Sequence, residues 1–408
     1  MTAGGTQRGH ESAASSDLDP FSPEFRADPF TAYAQLRAAA APAVWLNRYS
    51  IWTVARYDPV KAVLGDWRHF SNAGGGGITN YFLETPWRRP SIILEVDPPE
   101  HQRTRRVLMK ALAPERLQRL RAVFEAEVET IIEAALERGS IDAIPDLVQR
   151  FPLTVFPDAV GMQREDRSPM LTYGAMVFGA FGPVTPWYRE LMAQADTVSA
   201  WIMARCRREA LSSDGIGAAI YAQADAGDID AAEATLLVRS LLSAGVDTTI
   251  DSIGLCLRCL AEHPEQWAML RRDPDLARAA FEEATRFDSS SQSLFRTTLE
   301  EFEFQGVSLS KHQKVLVLIG SAGRDAEKWD DADRFDIMRR VTASQIGYGA
   351  GIHSCVAQMM ARLEGEVFFQ ALARKVQDIE IIGVPQLRLQ PGLRGLRSLP
   401  LRLTRRPS

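Results

Sequence analysis

The sequence predicts a mainly α fold with a minor β part, carried by a single domain, and three observations lead there. Four segments, 114–137, 231–262, 276–287 and 356–374, combine helix-forming residues with apolar positions recurring about every 3.6 residues. Runs of β-branched and aromatic residues are short and lie near the two ends of the chain. No Pro/Gly/Ser linker and no repeat interrupts residues 20–400. One domain is therefore expected over 18–408, behind a polar, small-residue tail, 1–17, expected to be disordered.

In order along the chain, Val44-Trp45-Leu46 and Ile51-Trp52-Thr53-Val54 read as the arms of a hairpin. The helix over 114–137 opens on Pro114, whose missing N–H and fixed φ suit a first turn. The stretch 231–262 reads as one helix of about 30 residues, roughly 45 Å, long enough to cross a domain. After the Ala-, Glu- and Arg-rich segment 276–287, the apolar run 314–318 reads as a buried strand. Residues 356–374 follow a glycine-rich loop, and 387–403 read as a pair of late strands.

With 46% hydrophobic and 24% charged residues in 408, there is ample apolar material for a core. A net charge of −5 argues against a nucleic-acid binder. Four cysteines, Cys206, Cys256, Cys259 and Cys355, are too few and too unevenly placed for a disulfide framework, which fits a reducing compartment. No apolar leader and no uncharged stretch of transmembrane length is found, so a cytoplasmic location without membrane attachment is expected.

The most informative element is Tyr348-Gly349-Ala350-Gly351-Ile352-His353-Ser354-Cys355, a compact loop that delivers one thiol to the start of a helix. Unpaired amides and the helix dipole favour negative charge there, so the sulfur is expected as a thiolate, the form that binds metal. Such a thiolate suits a haem iron, and Gly349 and Gly351 allow close backbone approach to a flat ligand, with N–H groups aimed at the sulfur. The plainer alternative is a small buried hydrophobe after a tight turn.

Midway along 231–262, Ala244-Gly245-Val246-Asp247-Thr248-Thr249 weakens the helix. Gly245 removes bulk, and Thr248 can bond back to the carbonyl four residues earlier, opening a groove of oxygen-molecule size. The alternative is a self-bonded Thr beside a solvent-facing Asp. Glu283 and Arg286, three apart, read alone as a weak exposed pair. After Asp97-Pro98-Pro99, His101 and Arg105 project from one face of a helix. Cys256 and Cys259 have no second Cys or His pair nearby, so core cysteines are favoured over zinc. Gly74 to Gly77 lacks the Lys-Ser/Thr of a phosphate loop.

The run from Tyr348 to Cys355 resembles the haem loop of cytochrome P-450 monooxygenases, with Tyr348 for the commoner Phe and Ala357 for a Gly. The order of the other motifs, from about Asp97 to Ala361, is similar to that family throughout. The resemblance implies a triangular helical prism around a buried haem b, with Cys355 as proximal ligand, Gly349, Gly351 and Ala244 beside the cofactor, and O2 as co-substrate. It further implies that Asp247 and Thr248 deliver protons for dioxygen cleavage, that His101, Arg105 and Arg296 hold the propionates, and that Glu283 and Arg286 are structural. Gln345 departs from a fourth propionate group, often His, and implies weaker anchoring there. The chain contains no flavin or iron–sulfur module, so the resemblance implies a [2Fe–2S] ferredoxin and an NAD(P)H-dependent ferredoxin reductase, docking near Arg103, Arg106 and Lys110.

A closer resemblance is to soluble bacterial members that O-demethylate 4-methoxybenzoate. It rests on Thr85 to Glu95, on Met176 to Pro183 and on Leu237 to Gly245. A benzoate is an anion that must be desolvated, so its site needs cations and hydroxyl donors at one end. By this resemblance Arg88 and Arg239 supply charge, Ser91, Ser240 and Ser243 supply donors, and Phe178, Phe181 and Leu294 line the ring. Ser289-Ser290-Ser291-Gln292-Ser293 replaces a more apolar turn and implies a wider, more polar pocket. The alternatives are a larger or uncharged aromatic substrate, such as a cinnamate or a methoxyphenol, and a haem-thiolate protein that binds a ligand without turnover.

Overall fold

The computed structural model describes residues 14–407. Its Pro114–Arg138 helix buries Leu117, Phe124, Val128, Ile131, Ile132 and Ala135 along one stripe and ends where Gly139 takes a φ of 70°. That stripe packs on Gln358–Lys375, which also lies against Ala277–Phe287.

The single helix expected over 231–262 is in fact two. Ala231–Ala244 opens with a capping box between Asp230 and Glu233 and stops at Gly245, and Asp247–Glu262 resumes after Val246. Two threonines account for the break: Thr248 Oγ1 donates to the Ala244 carbonyl at 2.8 Å and Thr249 Oγ1 to the Gly245 carbonyl at 3.0 Å. Gly245 is needed for a second reason, since a side chain there would run into the ring of Phe156. Ser168–Gly179, absent from the sequence reading, is helical despite two glycines because Met170, Tyr173, Met176 and Val177 are packed.

A six-stranded sheet runs in the order Ser15–Ser16, Val44–Leu46, Ile51–Val54, Lys314–Val317, Leu294–Thr298, Phe70–Ser71. The expected hairpin is present, with Trp45 opposite Trp52, and all four residues of Lys314–Val317 are buried. Ser15 and Ser16 pair in parallel with Trp45 and Leu46, because the outer edge of the hairpin offers them a ladder. The described chain is thus paired within the stretch expected as a tail, and residues 1–13 of that expectation lie outside the described residues.

The late pair of strands is three strands. Gln386–Gln390 and Leu393–Ser398 form a hairpin, while Pro400–Arg405 leaves it to pair with Val376–Ile381 and Ser140–Asp142. The change of partner follows the Leu399 N–H, which donates to Asp142 Oδ1 at 2.8 Å. Among the described residues no helix is long and apolar enough to cross a membrane.

Candidate functional site: a cysteine loop and a broken helix

Gly349 and Gly351 have φ values of 75° and 70°, which favour glycine. The Cys355 N–H donates to the Tyr348 carbonyl at 2.8 Å and closes the loop. The helix begins at Gln358, two residues later than expected, and the amide that reaches the sulfur belongs to Ala357 rather than to a glycine. Burial pushes the Cys355 thiol up, against this amide and the charges of Arg105 and Arg362. Burial thus opposes ionisation of the sulfur, while the Ala357 amide and the two guanidiniums favour it. Cys206, Cys256 and Cys259 are fully buried, and among the described residues no cluster of three metal ligands exists.

Beside the loop, His101 is 1% exposed and neither of its ring nitrogens has a hydrogen-bond partner. The His353 ring, equally without one, lies 4.2 Å from it between centroids, with Nε2 3.8 Å from Asp97 Oδ1. Burial lowers both imidazoles, His101 to about 4, so both are neutral near pH 7. Arg105 donates to the Ser354 carbonyl at 2.8 Å. Arg296 is buried, donates to the Phe295 carbonyl at 2.9 Å, and among the described residues pairs with no carboxylate. Burial lowers it to about 10. The unpartnered His101 imidazole, the His353 ring and two guanidiniums that among the described residues have no paired carboxylate describe a cradle for anionic groups. Gln345 is occupied otherwise: Nε2 donates to the Glu282 carbonyl at 2.9 Å and Oε1 accepts from the Gly347 N–H at 2.8 Å.

At the break between the two helices, Ala244 is exposed and Thr248 half-buried, although the residues on either side of them are mostly buried. Asp247 is 3% exposed and does not face solvent; its Oδ1 lies 3.1 Å from Arg388 Nη1. Burial pushes its carboxyl up, with Arg388 opposing.

Glu283 and Arg286 are no exposed pair. Both side chains are fully buried and joined by two hydrogen bonds of 2.7 Å. Arg286 also donates to the carbonyls of Gly323, Ala332 and Arg334, while Glu283 accepts from Arg339 Nε at 3.2 Å and the Asp336 N–H at 3.1 Å.

The aromatic-acid residues divide into two groups. Arg88 is bound by Glu95 at 3.0 and 3.2 Å, and the Ser91 N–H donates to the same carboxylate at 2.7 Å. The charge of Arg88 is therefore matched within the protein. Arg239, in contrast, is 5% exposed, donates only to the Arg89 carbonyl at 3.3 Å, and among the described residues pairs with no carboxylate. Ser91 and Ser240 hydroxyls lie 3.0 Å apart, and Ser243 Oγ donates to the Ser240 carbonyl at 3.2 Å. Phe178 and Phe181, with ring centroids 5.5 Å apart, cluster with Leu393 and Leu294. Of the serine-rich stretch, Ser289, Ser290 and Gln292 direct hydrogen bonds to Ser291, Ser252 and the Ser289 carbonyl, so these groups add little polarity to the pocket.

A family model described as Cytochrome P450 matches residues 204–377. The chain is 47% identical over 388 residues to Cytochrome p450 CYP199A2 of Rhodopseudomonas palustris, covering 95% of this chain and 94% of that protein. The chain belongs to the cytochrome P450 family. Epothilone B-bound cytochrome P450epoK superposes on it with a TM-score of 0.85 at 25% identity, covering 96% of this chain and all of that one. Cytochrome P450 CREJ, in complex with (4-ethylphenyl) dihydrogen phosphate, does so with a TM-score of 0.82 at 25% identity, covering 95% and 99%.

As a P450 the protein is a monooxygenase that uses haem b, a cysteine thiolate and O2. The residues fit that cofactor. The His101, His353, Arg105 and Arg296 cradle supplies donors for two carboxylates beside the loop that ends in Cys355. Gly351 sits against the backbone of Leu64 and Gly65, where a larger residue would prop the loop away.

Sequence reasoning missed four functional or structural side chains. His353 stood inside the cysteine loop and its signal was a titratable residue two before the thiol. Asp251 repeats Asp247 four residues on, on the same helix face, which was legible. Arg388 and Arg339 carried no local signal, since their partners lie 141 and 56 residues away.

Proposed function

We propose that this P450 oxidises para-substituted aromatic carboxylic acids, by O-demethylation or hydroxylation at the para substituent of benzoates such as 4-methoxybenzoate. The observation that carries this reading is Arg239, a buried guanidinium that among the described residues pairs with no carboxylate, on the helix that also carries Ser240 and Ser243. A desolvated carboxylate is the partner that such a cation lacks. Glu95 neutralises Arg88 and fixes Ser91 through its N–H, so Arg88 positions the hydroxyl end instead of adding net charge. Phe178 and Phe181 orient the ring and exclude water. The ligand of CREJ, a para-alkylated ring with an anionic group at its far end, has the same division into charged and apolar ends.

In this reading Cys355 would ligate the haem iron, and His101, His353, Arg105 and Arg296 would hold the propionates. Bound haem supplies dioxygen activation and the oxidising equivalent. Asp247 and Thr248 handle protons at the helix break, where the Thr248 hydroxyl has turned to the Ala244 carbonyl. Electrons come from a [2Fe–2S] ferredoxin and its NAD(P)H-dependent reductase. The docking face is the open concavity of about 580 Å³ lined by His101, Gln102, Arg105, Arg106, Met109 and Ile352 among others. Its basic character rests on Arg106, since Arg103 pairs with Glu233 and Lys110 with Asp228.

The test is an optical titration of the ferric protein with 4-methoxybenzoate, followed by turnover with ferredoxin and reductase. Low-spin to high-spin conversion, then 4-hydroxybenzoate and formaldehyde, is the expected result. No spectral response to any benzoate, with conversion by a larger or uncharged aromatic, overturns the substrate assignment and leaves the monooxygenase standing.

A further inference from the structure

Two buried carboxylates share one guanidinium behind the helix break. Asp247 Oδ1 lies 3.1 Å from Arg388 Nη1, and Asp251 Oδ2 lies 2.5 Å from Arg388 Nη2. Both acids are buried, at 3% and 1% exposure. Each is seated against a glycine: a methyl group on Gly174 would overlap the Asp247 carboxylate, and one on Gly395 would overlap that of Asp251. Gly395 stands directly across the hairpin from Arg388, so one cross-strand pair provides both the cation and the space beside it. With both acids ionised the trio carries one uncompensated negative charge out of water, which is costly; one proton removes it. Asp251 Oδ1 has no hydrogen-bond partner and is free to hold that proton.

We infer that Asp251 is a positioning residue for proton handling, the alternative anion for Arg388 that lets Asp247 become a neutral donor. The trio has two states of equal net charge. In one the proton is on Asp251 and Arg388 pairs with Asp247; in the other the proton is on Asp247 and Arg388 pairs with Asp251. Only the second presents a proton next to Thr248. This rests on the proposed role of Asp247 and Thr248.

Burial pushes Asp251 up to about 7, with Arg388 opposing and Asp247 adding to the rise. Among the described residues, Arg388 and Asp247 are the charges that act on it. The Ser168–Gly179 helix presents Gly174 and the Leu393–Ser398 strand Gly395. Asp146, in the neighbouring Ile144–Val148 turn, pairs with Arg138; Glu282 and Glu283 of Ala277–Phe287 pair with Arg362 and Arg286; Glu364 is raised by burial alone.

The experiment is an infrared pH titration of the ferric holoenzyme and of Asp251→Asn, with dioxygen consumption and peroxide release measured alongside. A protonated-carboxyl band that disappears as pH rises through about 7 in the parent and is missing in Asp251→Asn is the expected result; the band of Glu364 would persist in both. The variant should also lose roughly tenfold or more of its product per dioxygen, with more peroxide released and unchanged spectral affinity, within the range of one general acid. No band titrating near neutral in the parent overturns the inference whatever the variant does, and so does unchanged coupling in Asp251→Asn. If instead Asp247→Asn leaves coupling unchanged, it is the role of Asp247 that fails, and the inference with it. The substrate assignment is separate, since the infrared band does not depend on which acid is oxidised.

Discussion

Replacing Arg239 with Met should weaken aromatic-acid binding while leaving the ligand-free protein as stable as before or more so. The two effects have opposite signs because Arg239 holds a desolvated charge for a partner that is not part of the chain. In the free protein its single hydrogen bond, 3.3 Å to the Arg89 carbonyl, is long, and burial lowers its pKa. Met keeps the aliphatic bulk and removes the charge, so unfolding free energy should change by about 0 to +2 kcal/mol, the range for replacing buried ionic groups by apolar ones. Binding loses a charge-assisted hydrogen bond worth about 1.5–3 kcal/mol, hence roughly 10- to 150-fold in Kd. Urea denaturation and the 4-methoxybenzoate spin-state titration measure the two quantities on one preparation. A variant that is destabilised by more than about 2 kcal/mol yet binds unchanged would show Arg239 to be structural, and the charge argument would be refuted.

The remaining predictions concern the frame. Glu283→Gln leaves the fully buried Arg286 without its anion and should cost about 3–5 kcal/mol in denaturant unfolding; a loss below about 1 kcal/mol would contradict the network. Gly245→Ala pushes a methyl into the Phe156 ring and should cost about 1–3 kcal/mol, read as a lower urea midpoint at unchanged slope. Asp251 is raised from 3.8 to about 7, so between those pH values the folded state holds a proton that the unfolded chain has released. Its contribution to stability is therefore full below the lower value and is lost as pH rises to about 7; unfolding midpoints at several pH values should show this fall, and Asp251→Asn should flatten it.

What was legible depended on whether the physical cause was local. The compact loop at Gly349 and Gly351, the weak point at Gly245 and the back-bond of Thr248 all follow from residues within a few positions, and these were legible in the sequence. The single helix over 231–262 was drawn too long because periodicity continues across the break while the carbonyls do not. Charge pairing was the opaque part. Arg88 was taken for a substrate cation although Glu95, seven residues on, neutralises it, and only the fold of that loop brings the two together. Spacing alone made Glu283 and Arg286 look like surface charge, because the carbonyls that bury the pair come from residues 323–334; their structural role was legible only through the order of the motifs.

Charge matching also sorts the buried ionic groups by role without reference to any relative. Where cation and anion balance, as in Glu95 with Arg88 or Glu282 with Arg362, the protein has completed the interaction and the group is structural or positioning. Where the count fails, something external is required to make burial tolerable. Among the described residues Arg239 pairs with no carboxylate, and in the proposed function the substrate's carboxylate supplies that anion. Among the described residues Arg105 and Arg296 pair with no carboxylate beside the cysteine loop, and in the proposed function the haem propionates supply those anions. Asp247 and Asp251 exceed Arg388 by one negative charge, and that excess is met by a proton, the smallest partner and the one an oxygen-cleaving site consumes.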